Sequence, residues 1–213
     1  MTMTDNRQNT VIGTRQLRRE DPALLTGEAK FTNDLNLPGA LHLSILRSPH
    51  AHAKIVSIDT AAAKASPGVV AVYTGAELQS QWAGPMPCAW PVTPDMKNPP
   101  HFPLAASKVC YVGDGVVAVL ATSESASRDA LDLIDVEYKV LKAVVDVEEA
   151  LSDANIIHED LGTNKSYTWN LKIEATEGCV EDAFQKAAFK VSERYVQQRL
   201  LPMAMEPRAV AAV

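Results

Sequence analysis

The chain has 213 residues, 46% hydrophobic and 22% charged, with a net charge of −6. That is the composition of a folded globular protein and not of a disordered one, and it leaves no basic surplus for neutralising phosphates, which argues against a dedicated nucleic-acid binder. Cys88, Cys110 and Cys179 are odd in number and far apart, so they form neither a disulfide framework nor a CxxC pair, as expected in a reducing cytoplasm. There is no signal-peptide pattern and no window near the roughly 20 apolar residues of a membrane span.

Residues 1–10 are polar and expected to be mobile. Arg15, Arg18 and Arg19 follow at helical spacing and read as a solvated face. The runs LHLSIL (41–46) and AKIVSID (53–59) predict two strands, joined by RSPHAH with its turn-forming Ser-Pro. In DTAAAKASPGVVAVYT, Thr60 is expected to cap a short helix, Pro67-Gly68 to stop it, and residues 69–74 to form a buried strand. Seven of the 13 prolines fall between Gln79 and Ser107, so a long irregular loop is predicted there, with Trp82, Trp90 and Phe102 requiring surfaces to pack on.

KVCYVGDGVVAVLA places Gly113-Asp114-Gly115 between two β-rich runs, which predicts a tight hairpin. A phosphate loop is the weaker alternative, because one GDG lacks the spaced glycines and the helix start. Thr122 or Ser123 is expected to cap a helix carrying Ala126 and Ala130, after which Ile134, Val136, Tyr138 and Val140 alternate as a strand. Residues 141–162 read as a connector with one helical turn over Asp146 to Leu151. Beyond it, NKSYTWNLKIEAT predicts a strand, Val180, Ala183, Phe184 and Ala187 one face of a helix, and a long strand is expected from Phe189. These elements make an α+β (mixed α/β) fold with a mixed sheet.

Three constellations have residue types that could carry chemistry. His50 and His52 could share one face of a strand and one metal ion, but two ligands are too few, and a polar turn is the simpler reading. Cys88 and Cys110 are flanked by apolar residues, which predicts inert, buried thiols. The pairs Glu148-Glu149 and Glu159-Asp160 read as solvated faces, since adjacent carboxylates point apart.

Read together and in order, LLTGEAKFTNDL, RSPHAHAKIVSID, PGVVAVYTG, KVCYVGDGVVAVLA, DALDLIDVEYKVLKAVVDVEEAL, HEDLGTNKSYTW and QQRLLPMAMEPRAVAA resemble the N-terminal part of molybdenum hydroxylase large subunits, the xanthine dehydrogenase and aldehyde oxidase family. MPCAWPVTPDMK, HEDLGTNKSYTW and RLLPMAMEPRA look most like the branch of aerobic carbon monoxide dehydrogenase large chains. Asp114-Gly115 stands where the family usually has Glu-Pro after the first glycine, and Lys142 where proline is common.

The resemblance implies a polar segment over 1–19, an a/b hammerhead domain over 20–140, a connector over 141–160, and over 161–213 the beginning of a molybdopterin-binding domain, whose remaining parts would lie beyond the final apolar strand. In the complete enzyme it implies molybdopterin in its cytosine dinucleotide form and oxidation of a small substrate with oxygen from water. It further implies iron–sulfur small and flavin medium subunits as partners, homodimerisation of that heterotrimer, and a cytoplasmic location. No residue of 1–213 matches a catalytic, cofactor-binding or metal-ligating position, so the chain alone is expected to be inactive. The alternative is a non-catalytic hammerhead module that docks to partner subunits.

Overall fold

The structure, a computed structural model, describes residues 12–169 and 180–212. The chain divides into two compact units, Gly39–Lys186 and a second one made of Met1–Pro38 with Ala187–Val213.

Among the described residues of the larger unit, six strands alternate between two antiparallel sheets. β1 (His42–Arg47), β3 (Val69–Thr74) and β5 (Gly115–Ala121) form one sheet in the order β1-β5-β3. β2 (Ala53–Asp59), β4 (Lys108–Val109) and β6 (Asp135–Val140) form the other in the order β4-β2-β6. Every pairing is antiparallel, in place of the single mixed sheet expected from sequence. The β-branched run of β5 explains its central place: both edges are hydrogen-bonded, and Val116, Val117, Val119 and Ala121 are fully buried. Val109, Ala53, Ala63 and Ala130 complete the core between the sheets and the helices.

The expected hairpin does not form. The run after Lys108 is a two-residue strand that pairs with β2, because β1 and β3 already occupy both edges of β5. Gly113, at φ +91°, makes the turn, which docks on the Ser-Pro corner: its N–H donates to the Ser48 carbonyl at 2.8 Å, and the Ser48 N–H donates to the Asp114 carbonyl at 2.8 Å. The Asp114 N–H donates to the Tyr111 carbonyl, so these amides are committed within the protein and not arranged for a phosphate.

The helices are short: α1 (Asp21–Thr26), α2 (Ala61–Lys64), α3 (Gly75–Leu78), α4 (Glu124–Asp129), α5 (Val147–Ala150) and α6 (Val180–Lys186). Small side chains let α2 and α4 approach the sheet, where Ser127 is fully buried and bonded to Ser44 Oγ at 2.7 Å. Ser127 gives its own proton to the Glu124 carbonyl, so the Ser44 hydroxyl is the donor. Ser123 caps α4 as predicted, accepting from the Ala126 N–H. Thr60 does not cap α2; the carboxylate of Asp59 does, accepting from Ala61 N–H at 2.9 Å, because Thr60 has left the extended conformation that aims a capping oxygen. Asp146 starts α5 by accepting from the N–H groups of Glu148 and Glu149.

In the second unit α1 begins with Pro22 in its first turn and ends at Gly27, whose φ of +74° lets its N–H return to the Ala23 carbonyl. The Glu206 carboxylate accepts from Thr32 N–H at 3.1 Å and from its hydroxyl at 3.2 Å. The strand expected from Phe189 is absent: residues 187–212 are exposed and carry no ladder, and an apolar run without a neighbouring strand has nothing to satisfy its backbone groups. The terminal apolar run from Leu200 is therefore not a buried strand here, Val213 lying outside the described residues. The polar stretch 1–10, Cys179 and most of the strand predicted over 164–176 also lie outside them, and 164–169 have no strand.

Gly75 follows Thr74, whose hydroxyl and Glu77 form a reciprocal capping box, and its Cα faces the loop so closely that a Cβ would lie 2.3 Å from the Ala105 carbonyl oxygen. Gly75→Ala is expected to cost about 1–3 kcal/mol through overpacking, read as a lower urea midpoint at constant m. Gly84→Ala, which meets nothing within 4 Å, is the control expected to leave that midpoint unchanged.

Candidate functional site

The 142–169 stretch is hydrogen-bonded onto β4 and the proline-rich loop. Lys108 of β4 donates from Nζ to the Ile157 carbonyl at 2.6 Å and forms an ion pair with Glu159. Lys97 donates from Nζ to the Leu161 carbonyl at 2.9 Å, while its backbone and Ser166 exchange two further bonds. Internally, Asp153, at φ +53°, accepts from the Thr163 hydroxyl and the Asn164 N–H, and the Asn164 amide reaches Ala150, Asn155 and Ile157. The two bonds to Asp153, that of Thr163 first, hold its carboxyl below the usual range.

Between this stretch, β4 and the proline-rich loop lies a cleft of about 360 Å³, with Phe102, Lys108, Cys110, Tyr111, His158 and Asp160 in its walls. The loop wall is ordered by stacking: Trp82 lies on Phe102 at 5.3 Å, and His101 tilts against Tyr111 at 5.8 Å. Burial pushes the Cys110 thiol up, as it does the Tyr111 phenol, with the Asp114 carboxylate adding to both. Burial, then the Lys108 charge, holds His158 below its ordinary value. The hydrogen bond from Lys108 is the main reason Glu159 is lowered.

The constellations singled out in the sequence meet this geometry unevenly. His50 and His52 lie in the corner before β2, not on a strand. His52 is buried, donates from Nδ1 to the Lys142 carbonyl at 2.9 Å, and leaves Nε2 buried without a partner, while the His50 ring packs edge-on against Tyr138 at 5.0 Å. Cys110 is only half-buried where burial was expected, and Cys88 is exposed, because the loop that carries it turns its apolar neighbours outward too; Trp90 is exposed as well. Glu149 and Glu159 do not simply face solvent: each is paired, with Lys142 at 2.9 Å and with Lys108. Among the described residues no three His, Cys, Asp or Glu side chains gather to hold a metal. Lys97, Lys108 and Asn164, which organise the cleft, were missed by sequence reasoning.

A pterin dinucleotide does not fit these walls. Its phosphates need arginines or free N–H groups, whereas Lys108 is spent on Ile157 and Glu159, the Cys110 N–H is taken by the Asp114 carboxylate, and Asp114 and Asp160 add negative charge. Among the described residues no helix is long and apolar enough to cross a membrane.

The family model described as "Aldehyde oxidase and xanthine dehydrogenase, a/b hammerhead domain" matches residues 26–142. The chain is 38% identical over 206 residues to the 6-hydroxypseudooxynicotine dehydrogenase complex subunit gamma of Paenarthrobacter nicotinovorans, covering 93% of this chain and 25% of that one. To the carbon monoxide dehydrogenase large chain of Afipia carboxidovorans it is 32% identical over 205 residues, covering 92% and 24%. Among solved structures, quinoline 2-oxidoreductase from Pseudomonas putida 86 superposes with a TM-score of 0.64 at 41% identity, over 71% of this chain and 19% of that one. The chain thus spans about a quarter of the length of the curated relatives it matches. By their names, both are single chains of multi-subunit enzymes.

The cleft makes the protein acid-sensitive in a defined direction. His158 takes up its proton more readily unfolded than folded, so stability falls as pH drops below its ordinary value of 6.5. The Glu159 contribution is present above its ordinary 4.5 and is lost as pH falls through the lower folded value. Thermal midpoints between pH 8 and pH 5 (~3 units, spanning the His range) are expected to fall on the acid side, and His158→Gln to flatten the part of that fall nearest 6.5.

Proposed function

The chain belongs to the aldehyde oxidase and xanthine dehydrogenase family of molybdenum hydroxylases, whose a/b hammerhead domain it carries, and we propose that it serves as the scaffold opening of a molybdopterin-dependent hydroxylase large subunit. The observation that carries this reading is that similarity continues past the hammerhead, at 38% identity over 93% of the chain. In this reading residues 20–140 are the hammerhead, 141–160 lead out of it, and 161–213 open the molybdopterin-binding domain. The cofactor, in the cytosine dinucleotide form, is held by residues other than those of the cleft. The complete enzyme oxidises a small substrate with oxygen from water and passes electrons to iron–sulfur and flavin subunits.

The carbon monoxide type is one reading of the substrate. A second, an N-heteroaromatic compound, is favoured modestly by the identities: 38% to the chain named for 6-hydroxypseudooxynicotine against 32% to the carbon monoxide dehydrogenase large chain, and, among solved structures, 41% to the quinoline enzyme against 36% to the carbon monoxide enzyme. In both cases the chemistry needs a base within hydrogen-bond reach of the proton it takes, and none of the cleft residues is offered for that role.

The test is to tag this chain in its source organism, purify what accompanies it, and measure molybdenum, iron and flavin together with oxidation of quinoline, nicotine and carbon monoxide by a dye acceptor. Molybdenum, iron and flavin are expected to copurify, with turnover of a heterocycle. The 213-residue chain made alone is expected to bind no molybdenum and turn over none of the three. A tagged protein that brings down no metal and no flavin would overturn the enzyme reading in favour of a docking module.

A further inference from the structure

The wall of the cleft formed by residues 143–169 shares little apolar burial with the rest of its unit. α5 and the 3-10 turn Glu159–Leu161 contain no buried residue, and Val145, Val147 and Leu151 are 85%, 71% and 66% exposed. Hydrophobic attachment grows with area removed from water, so over this stretch it is small. What fastens the segment is polar and concentrated on few side chains.

At its root, His52 Nδ1 donates to the Lys142 carbonyl and the Leu141 N–H donates to the His52 carbonyl, both at 2.9 Å. At its far end, Lys97 and Ser166 tie it to the proline-rich loop, which is itself not part of a sheet. Its middle is held to a strand by Lys108, whose side chain is only 20% exposed against 59% for its partner Glu159. Asp153 and Asn164 stitch the segment to itself, so that it keeps its shape independently of that strand contact.

We propose that residues 143–169 are a strap that opens as one unit and that Lys108 is its latch, so that release widens the cleft toward Cys110 while the two sheets stay closed. Segments with few buried apolar contacts open at lower free energy than the core around them. The latch rests chiefly on the bond to the Ile157 carbonyl, which survives loss of the Glu159 charge.

The experiment compares the full chain with its Lys108→Met and Glu159→Gln variants by hydrogen exchange and by peptide-resolved alkylation of Cys110 with iodoacetamide. Lys108→Met is expected to speed exchange at the Lys97 amide, which donates across the seam to the Ser166 carbonyl, roughly tenfold, the loss of one charged hydrogen bond, and to speed Cys110 alkylation, while the Ile157 and Leu161 amides, bonded within the strap to Asn164 and His158, keep their rates. The Val117 and Val119 amides of β5 should keep their rates, and Glu159→Gln should have the smaller effect. Electrostatics alone gives the opposite sign at Cys110: the Lys108 charge favours the thiolate, so its removal by itself slows alkylation. An unchanged Lys97 amide, Ile157 and Leu161 amides that quicken with it, slower or unchanged Cys110 alkylation, or β5 amides that quicken as much as Lys97 would each overturn the latch.

Discussion

β5 is the strand on which the larger unit is registered. It is hydrogen-bonded on both edges, to β1 and to β3, and most of its residues are buried. With no free edge left, the chain entering and leaving it has to cross to the other sheet. The result is a strict alternation, odd strands in one sheet and even strands in the other, so that the corner at Ser48, the loop before β4, the turn at Gly113 and the helices α2 and α4 all bridge the sheets. None of these connections closes a hairpin. The small residues at the crossings, Ala63, Gly75, Ser127 and Ala130, are buried because the backbone there runs close to a sheet or a loop.

This alternation explains which elements could be read from the sequence. β1, β2, β3 and β6 were legible to within a residue or so, because an apolar or alternating run is a local property. Partner choice is not local. Asp114-Gly115 looks like a hairpin turn from its neighbours alone, and only the occupancy of both edges of β5 forbids that pairing. The strand expected from Phe189 fails for the converse reason: the local pattern suits a strand, but no ladder forms among residues 187–212. Cys88 shows the same limit, since apolar neighbours predict burial only where the backbone turns them inward.

The cleft was less legible than the fold. His52, Cys110 and Glu159 stood out as residue types that do chemistry, and the first bonds backbone as expected of a turn histidine. The residues that organise the cleft were Lys97, Lys108 and Asn164, which sit in no recognisable spacing. A lysine that donates to a main-chain carbonyl tens of residues away leaves no trace in composition or period. Family resemblance identifies the domain but not these bonds, since the family match ends at residue 142 and the strap lies beyond it.

The acceptors of those lysines carry a consequence of a different kind. Every residue has a backbone carbonyl, so the oxygens of Ile157 and Leu161 survive any replacement that keeps the chain path. The donors have no such freedom, because a shorter side chain at 97 or 108 cannot reach and one without an N–H cannot donate. Selection on these two carbonyl contacts would therefore fall on one side only, leaving residues 157 and 161 to drift in composition while two isolated lysines, inconspicuous in any single sequence, stay fixed.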